Sequence, residues 1–371
     1  AIVCLPALIG AWRVRSGGVL LSSSGQFPVQ RAALERPDLR TGPARTINMV
    51  QIGDALLQSA SDTFGPAIEA VIVYNSNPVA VAPQSVKVAR GFAREDLFTV
   101  VLEHFMTDTA DLADYVLPAT TQLEHLDVHT SYGHTWAMFN EPAVAPLGES
   151  RPNTQIFRDL AARIGFDEPC FADSDETLAR TAFNAEVDFE ALRERGWFKL
   201  PIADAPFADG GFPTPSGRCI VDSPVHGVPD FVANYESASS APELARRYPL
   251  AMISPPARNF LNSSFVNLKS LRDIEGEPVL EIHETDARDR GIDSECMVRV
   301  WNDRGSYLCK AVVSRRARPG VVNGLGVWWR KLGADGTNVN ELTHQRLTDI
   351  GRAPTFYDCL VEVRPAHADR S

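Results

Sequence analysis

The chain has 371 residues, of which 44% are hydrophobic and 22% are charged, and this is enough to build two or three buried cores. That composition excludes collagen, a coiled coil and wholesale disorder. The formal charge of −11 makes nucleic acid an unexpected partner, because a protein that coats phosphate backbones is usually basic. A local basic pocket could still hold one anionic cofactor.

The first twelve residues, Ala1 to Trp12, are mostly apolar. They are too few to span a bilayer, and no basic residue precedes them as in a signal peptide. We therefore expect a buried helix or strand that enters a domain. No later stretch has the length of a membrane span, so the sequence predicts no membrane segment in this chain.

Three short apolar runs are predicted as buried strands of a parallel sheet, because they alternate with turns and helical segments. They are Ala70–Tyr74, Leu97–Leu102 and Val116–Ala119. The first run ends in a loop, since Pro78 pushes Asn77 out of helical geometry. A short helix over 110–115, capped by Thr107 or Asp108, is predicted before the third run.

Ligands of parallel sheets bind beyond the carboxyl ends of the strands. Asn77, Glu103 and Thr107 are all expected at that edge. By its position alone, Glu103 is expected to be a solvated strand-end acid. Thr107 begins a helix whose free N–H groups suit phosphate or ribose oxygens, and a plain N-cap is its alternative.

The alternation of apolar runs with helical segments weakens between residues 167 and 245, where acidic residues, Pro and Gly accumulate. We predict a peripheral segment and linker there.

From residue 246 to 365 several short strands at close spacing predict a mostly β barrel. Those strands are expected at Pro249–Ser254, Met297–Trp301 and Tyr307–Ser314, with a brief helix over Thr285–Arg290. The predicted division is 1–166, 167–245, 246–365 and a tail at 366–371.

The six cysteines are dispersed, and none forms a Cys-x-x-Cys pair. They are Cys4, Cys170, Cys219, Cys296, Cys309 and Cys359. An internal zinc ribbon or iron–sulfur cluster is therefore not supported. Thiols spaced in this way are typical of a reducing compartment, so we expect a cytoplasmic protein.

Two ordered sets of motifs carry a resemblance to a known family. The first set is Asn77-Pro78, Arg94 to Phe98, Phe105 to Ala110, Ala113 to Ala119 and Leu123-Glu124-His125. The second set is Ser254 to Arg258, Leu261 to Ser264, Asp286 to Ile292, Asn302 to Gly305, Arg318-Pro319-Gly320 and Asn340 to Thr343. In order and spacing, these motifs resemble the back half of the molybdopterin oxidoreductases of the dimethyl-sulfoxide reductase family.

The resemblance implies an α/β parallel-sheet domain followed by a mostly β barrel of the double-psi type. It implies that the chain holds molybdenum bis(molybdopterin guanine dinucleotide) for two-electron redox or oxygen-atom transfer at molybdenum. The family carries the protein ligand to molybdenum in its front half, and many subgroups carry an iron–sulfur segment there. We therefore assign no catalytic residue and no metal ligand in this chain, and allow an iron–sulfur cluster only in an N-terminal half.

The same resemblance implies the partners. They are a small-molecule substrate, an electron-transfer partner and the N-terminal half, without which a fragment of this kind is expected to be inactive. The alternative is a catalytically silent cofactor-binding or interaction subunit of a split complex, since fold alone does not confer function. A third possibility is a barrel that recognises substrate without any nucleotide.

The resemblance implies that Glu103 binds guanine, because a carboxylate fixed at a strand end can accept the adjacent ring and exocyclic N–H donors of that base. The solvated strand-end acid is the alternative.

The resemblance also implies a set of cofactor contacts outside the strand ends. Asp114 would bind pterin N–H groups, unless backbone groups satisfy it at a helix end. Arg258 would contact pyrophosphate or pterin, and short polar side chains follow it. The other implied contacts are Asn262, Ser263, Ser264, Trp329, Asn340, Thr343 and Tyr357. The family often has His where Asn262 stands, so this chain departs from the pattern there.

Three histidines are weaker candidates for a metal or substrate site. His125 and His129 are four residues apart and would share a helix face as metal ligands do. Pairs of this kind are usually structural, so no metal site is assigned. His134 lies where the family's chain approaches the molybdenum pocket, but a loop histidine paired with backbone is the preferred interpretation.

Overall fold

The structure is a computed structural model that describes residues 2–222, 225, 227, 228 and 230–366. Of the predicted tail, residues 367–371 lie outside the described residues. The chain forms two compact units, each made of two segments. The first unit comprises residues 1–43 and 118–231, and the second unit comprises residues 44–117 and those from 232 onward.

The strands, in chain order, are β1 (Ala70–Tyr74), β2 (Phe98–Glu103), β3 (Tyr115–Pro118), β4 (Asp127–His129), β5 (Trp136–Asn140), β6 (Trp197–Lys199), β7 (Leu250–Ile253), β8 (Val279–Ile282), β9 (Met297–Asn302), β10 (Gly305–Val313), β11 (Val321–Gly324) and β12 (Cys359–Pro365). The α-helices are α1 (Leu5–Leu8), α2 (Arg31–Glu35), α3 (Ile52–Leu57), α4 (Pro78–Val81), α5 (Ser85–Phe92), α6 (Asn153–Ile164), α7 (Asp175–Thr181), α8 (Phe189–Arg195), α9 (Pro242–Arg247), α10 (Lys269–Glu275) and α11 (Glu284–Asp289). Short 3-10 helices include Ile2–Cys4, Ala110–Leu112, Arg330–Leu332 and Val339–Glu341.

The second unit begins with the predicted parallel sheet. Its order is β1-β2-β3, and β1 pairs with β2 in parallel from Ala70 opposite Phe98 to Tyr74 opposite Leu102. Helices α3 and α5 pack together on one face of this sheet, where Gly91 allows a close approach. A Cβ at Gly91 would lie 2.7 Å from the Cβ of Leu56. The α/β sheet expected from the apolar runs is thereby confirmed.

The predicted helix over 110–115 is wrong in length. Only Ala110–Leu112 forms a turn of 3-10 helix, and β3 begins at Tyr115. The cause is Asp114, which donates its backbone N–H to the carbonyl of Thr99 and accepts the Thr99 N–H on its carboxylate at 2.7 Å. These bonds hold the chain extended beside β2 and end the helix early.

The barrel of the second unit is closed, with the order β10-β8-β11-β7-β12-β9. It contains both parallel pairs, such as β10 with β8, and antiparallel pairs, such as β10 with β9. Alternating side chains of its strands fill the interior, as the period of two requires. The three strands predicted from the sequence are β7, β9 and β10, and the predicted brief helix is α11, so a mostly β region is confirmed.

The first unit contains the antiparallel sheet β4-β5-β6. Its core includes Phe139 of β5, Ala179 of α7 and Leu192 of α8. The stretch with the weakened pattern after residue 167 thus supplies helices and a strand to this core, while the domain boundaries drawn there stay a prediction.

The opening run was expected to be buried. It forms a 3-10 turn and the helix α1. Ile2, Leu8 and Ile9 are 74–81% exposed, so the expectation that this run is buried is wrong. No core of the described residues receives their side chains. Among the helices described, none combines the length and apolar character that crossing a membrane requires.

Candidate functional site

The strand-end edge of the second unit carries the three predicted polar residues. Asn77 is the N-cap residue of α4, three positions after the end of β1, and is 3% exposed. Its Oδ1 accepts the Thr109 N–H at 3.2 Å and the Thr109 hydroxyl at 2.7 Å. Its Nδ2 is buried and has no hydrogen-bond partner among the described residues. A buried amide donor without a partner is rare in native proteins, so Asn77 is suited to a ligand that supplies an acceptor.

Glu103 is the last residue of β2 and is half-buried. One carboxylate oxygen accepts the backbone N–H of His104 at 2.8 Å. Within the described part of the chain, no lysine or arginine forms an ion pair with it. The strand end therefore presents a carboxylate that is fixed by one backbone bond and is free to accept more.

Thr107 caps the turn after β2. Its Oγ1 accepts the Ala110 N–H at 3.2 Å, as a capping side chain does, but the N-cap residue of the 3-10 turn is Thr109, so the predicted cap position is wrong by two residues. This cap does not conflict with a ligand contact, since a hydroxyl can also donate.

Asp108 joins the same loop to the barrel. Its carboxylate is buried and accepts the backbone N–H groups of Arg330 at 2.6 Å and of Lys331 at 3.1 Å. Burial raises the pKa of Asp108, and the two N–H groups oppose that effect. The sequence analysis treated Asp108 only as an alternative cap and missed this long-range role.

A second connection links the barrel to α4. Asn338 donates its amide to the carbonyls of Ala80 at 3.0 Å and Trp328 at 2.9 Å, and Asn340 donates to those of Ala80 at 2.9 Å and Val81 at 3.2 Å. Both asparagines are buried. Thr343, also fully buried, donates its hydroxyl to Asn340. The predicted Asn340 and Thr343 thus lie inside a hydrogen-bonded junction.

A third connection uses a buried acid that the sequence analysis missed. Glu341 is 2% exposed, accepts the Val86 N–H of α5 at 2.9 Å and pairs with the guanidinium of Arg330 at 3.0 Å. Burial raises the pKa of Glu341, although Arg330 and the N–H donor oppose the shift. Glu341 therefore stabilises the sheet and barrel of the second unit as one body.

The barrel contributes an exposed polar loop. Leu261 and Ser264 exchange two backbone hydrogen bonds around a tight turn, in which Asn262 has a positive φ of 50°. Asn262 and Ser264 are exposed, and so is Arg258, which has no ion-pair partner among the described residues. The Ser263 carbonyl accepts the indole N–H of Trp329 at 2.8 Å. These backbone hydrogen bonds fix the turn, and its exposed side chains remain available to contact a ligand.

Two of the predicted residues lie apart from these groups. Asp114 is bonded to Thr99 near the amino end of β2, and Glu103 is four residue steps further along the strand, or about 13 Å away. The structure therefore does not bring Asp114 to the edge with Glu103. Tyr357 lies before β12 and is 58% exposed.

The histidines are in the first unit and do not share a helix face. His129 lies in β4, and His125 pairs with the hydroxyl of Thr120 at 2.9 Å. The Nδ1 of His134 accepts the Trp136 N–H at 3.2 Å, as expected for a loop histidine paired with backbone. Among the residues that the structure describes, no three His, Cys, Asp or Glu side chains are grouped as metal ligands.

The residues of the second unit fit an anionic, nucleotide-bearing group. They offer an unpaired buried amide at Asn77, a strand-end carboxylate at Glu103 and an exposed guanidinium at Arg258. An amide and a guanidinium suit phosphate or ring acceptors, and a carboxylate suits paired N–H donors. The buried hydrogen bonds and ion pair of Asp108, of Asn338 with Asn340, and of Glu341 connect the sheet and the barrel that carry these groups.

Comparison with known proteins agrees with this geometry. Residues 43–163 match the family model for molybdopterin oxidoreductase, and residues 250–360 match that for the molybdopterin dinucleotide binding domain. The chain is 38% identical to the "Probable oxidoreductase YoaE" of Bacillus subtilis over 98% of this chain and 53% of the relative. It is 26% identical to dimethyl sulfoxide reductase DmsA of Escherichia coli over 71% of this chain and 37% of that protein.

The solved structure of acetylene hydratase from Pelobacter acetylenicus has the same fold, with a TM-score of 0.72 and 21% identity. The superposition covers 93% of this chain and 51% of the hydratase chain. The chain spans about half the length of YoaE and of the hydratase. On these matches, the chain belongs to the molybdopterin oxidoreductases of the dimethyl-sulfoxide reductase family.

Proposed function

We propose that the second unit holds molybdopterin guanine dinucleotide, as part of molybdenum bis(molybdopterin guanine dinucleotide), in an oxidoreductase that moves two electrons with or without an oxygen atom. The observation that carries the proposal is the convergence of Asn77, Glu103 and Thr107 at one strand-end edge whose loop Asp108 ties to the barrel. The bound group supplies the redox chemistry at its metal, while the protein positions and tunes it.

Glu103 is proposed to recognise guanine. A carboxylate can accept the ring N–H and the exocyclic amine together, and adenine does not present that pair of donors. The single backbone bond from His104 fixes the carboxylate and leaves most of its acceptor capacity available. This arrangement supports the guanine form of the dinucleotide.

The phosphates are proposed to lie between Thr107 and the barrel loop. Arg258 provides positive charge, and Asn262, Ser263 and Ser264 provide short polar groups on a turn closed by Leu261. Guanidinium groups bind phosphate oxygens with two parallel hydrogen bonds, which suits a pyrophosphate.

Asn340, Thr343, Trp329, Asp114 and Tyr357 complete the proposed contacts. Asn340 donates its amide to two carbonyls and Trp329 donates its indole N–H to a third. Asn340 is 2% exposed and Trp329 is 6% exposed, and the Asn340 side-chain oxygen accepts the Thr343 hydroxyl at 3.3 Å, so their proposed part in binding is to place the loops beside the pterin. Asp114 is the weakest of the set, because it engages Thr99.

The wider assignments are also proposals. A counterpart equivalent to the other half of the relatives would carry the molybdenum ligand and any iron–sulfur cluster, and would complete the site for substrate and electron partner. The protein is proposed to be cytoplasmic.

The domain boundaries at residues 166, 245 and 365 are also proposed. The two family matches support them, because these matches fall within the first and the third domain. The mixture of parallel and antiparallel pairs in the closed barrel supports the double-psi type.

The test is the guanine nucleotide released per protein from the Glu103→Gln variant of the complete, naturally assembled protein. We expect retention to weaken by about 1–3 kcal/mol, because a neutral amide accepts only one of the two N–H donors. Glu95→Gln is the matched control, since Glu95 is exposed and precedes β2 at its other end. Equal loading of the Glu103 variant, the control and the parent would contradict the guanine role.

A further inference from the structure

A long loop of the second unit is closed at its base by a buried pair of side chains. His344 directly follows the buried Thr343, and Asp358 directly precedes β12. The Nε2 of His344 lies 3.0 Å from Oδ1 of Asp358, and the two side chains are 5% and 8% exposed. Compact loops whose ends meet in this way often carry function. Residues 344–358 are called the closed loop here.

The imidazole of His344 has a partner on each side. Its Nδ1 accepts the Arg346 N–H at 3.2 Å and lies 3.2 Å from the hydroxyl of Thr355. Because Nδ1 acts as an acceptor, the proton of the neutral ring is on Nε2, where it faces Asp358. Oδ1 of Asp358 is buried and, among the described residues, has no hydrogen-bond partner besides this ion-pair contact. The imidazole therefore links the start of the closed loop to its end.

Tyr235 packs across the base of the closed loop. Its backbone N–H donates to Oδ2 of Asp358 at 3.3 Å, and its hydroxyl donates to the carbonyl of Leu347 at 2.9 Å. The edge of its ring meets His344, with centroids 5.9 Å apart. Tyr235 is fixed in turn, because the buried carboxylate of Glu236 beside it forms an ion pair. A segment far earlier in the chain thus holds both ends of the closed loop.

The end of the closed loop carries Tyr357, one of the proposed cofactor contacts. The side chain of Tyr357 is 58% exposed, but the backbone on either side of it is fixed. The carbonyl of Phe356 accepts the hydroxyl of Ser254 at 3.1 Å, and Asp358 is held by the contacts described above. An exposed side chain on a fixed backbone meets a ligand with little further loss of conformational freedom.

We propose that the pair of His344 and Asp358 positions Tyr357 for the bound dinucleotide cofactor by keeping the closed loop shut. His344 is a positioning residue, because it acts through Asp358 and is itself buried. A binding side chain is only as well placed as the residues that support it. The inference rests on the proposed function, in which Tyr357 contacts the cofactor, and adds the pair that holds Tyr357 there.

The test compares two substitutions that each keep one half of the imidazole. His344→Asn keeps an acceptor near the place of Nδ1, whereas His344→Gln keeps a donor near the place of Nε2 that faces Asp358. The complete protein, with every chain that accompanies it, is used for both. We expect the Asn variant to lose guanine nucleotide about tenfold faster, the lower end of the cost of losing a residue that orients a ligand group. The Gln variant should stay within about twofold of the parent, because it keeps the donor.

His283→Asn is the matched control. The Nδ1 of His283 accepts the N–H of Thr285 at 3.2 Å, in the same local arrangement as at His344, but His283 forms no ion pair with an acidic residue in the described part of the chain. This variant should lose nucleotide at the rate of the parent.

Trypsin cleavage after Arg346 measures closure of the loop without reference to the nucleotide. The Arg346 guanidinium lies 4.9 Å from the centre of the Tyr235 ring, so the base of the loop must open before cleavage. Cleavage should be at least about fivefold faster in His344→Asn, because it follows the population of the open form. His344→Gln and His283→Asn should be cleaved like the parent.

Asp358→Asn tests the same contact from its other side. The amide oxygen can still accept the Tyr235 N–H, but the amide N–H₂ group then faces Nε2 of His344. Nucleotide loss should rise as in His344→Asn, and the double variant should lose nucleotide no faster than the more affected single variant. Two substitutions that break one shared contact are not additive.

Three outcomes overturn the proposal. They are nucleotide loss from His344→Gln as fast as from His344→Asn, additive losses in the double variant, and faster cleavage after Arg346 without faster nucleotide loss. A complete protein without guanine nucleotide would contradict the proposed function as well. Unchanged nucleotide loss and cleavage in His344→Asn, in a protein whose Glu103→Gln variant does lose nucleotide, would contradict this inference alone.

Discussion

Two regions of the second unit contain the same kinds of side chain and use them differently. At the junction of sheet and barrel, Asp108, Asn338 and Glu341 are buried and bonded to backbone or to Arg330. The strand-end edge at Glu103 and the barrel loop at Arg258 are called the rim here. Glu103 is half-buried and accepts one backbone hydrogen bond, and Arg258 is exposed and has no ion-pair partner among the described residues. Buried side chains that are bonded to backbone groups or ion-paired within the protein have a structural role, whereas fixed groups at the edge that keep spare hydrogen-bonding capacity are available to a ligand.

The largest effect is expected at the junction, for Glu341→Ala. Removal of this carboxylate leaves Arg330 without its buried partner and the Val86 N–H without its acceptor, so the free energy of unfolding should fall by about 3–5 kcal/mol. Chemical denaturation of the parent and the variant measures the change. A loss below about 1 kcal/mol would show that the buried pair does not hold sheet and barrel together.

A smaller loss is expected for Asp108→Asn. The amide keeps one acceptor, but its NH₂ group faces a backbone N–H of Arg330 or Lys331, so the unfolding free energy should fall by about 1.5–3 kcal/mol. Asp111→Asn is the control, because Asp111 lies on the same turn but is exposed. Similar losses in both variants would contradict the special role of Asp108.

The smallest effect on stability is expected at the rim, for Arg258→Ala. The side chain is exposed and unpaired within the described residues, so the unfolding free energy should change by no more than about 0.5 kcal/mol. Retention of guanine nucleotide should nevertheless fall about tenfold, as expected for the loss of a guanidinium contact to phosphate. Arg288→Ala, which removes an exposed arginine of α11, is the control for charge. If Arg258→Ala destabilised the fold instead, the distinction between rim and junction would be lost.

The sequence predicted the elements that depend on local pattern. The apolar runs at Ala70 and Leu97 gave strands whose ends differ from the structure by at most one residue, because burial on a sheet needs only a short apolar run. The end of β2 followed directly, and with it the place of Glu103 and Thr107.

The junction could not be predicted in the same way. Glu103 ends β2 and Asp108 lies in the loop that follows, and only contacts with residues more than 200 positions away show that Asp108 is the buried one. Glu341 lies in a polar 3-10 turn without any hydrophobic period, and its partner Val86 is 255 residues away. The helix expected over 110–115 was likewise shortened by a contact to Thr99 on the neighbouring strand. In each case a tertiary contact overrides the local signal.

The central claim is that the second unit holds a guanine-bearing molybdenum cofactor. The most direct test is to isolate the naturally produced protein with every chain that accompanies it, and to quantify molybdenum and released guanine nucleotide in the same sample. The account predicts about two guanine nucleotides for each molybdenum atom, as in a metal held by two dinucleotide-bearing pterins. An assembled protein that contains neither molybdenum nor guanine nucleotide would contradict it.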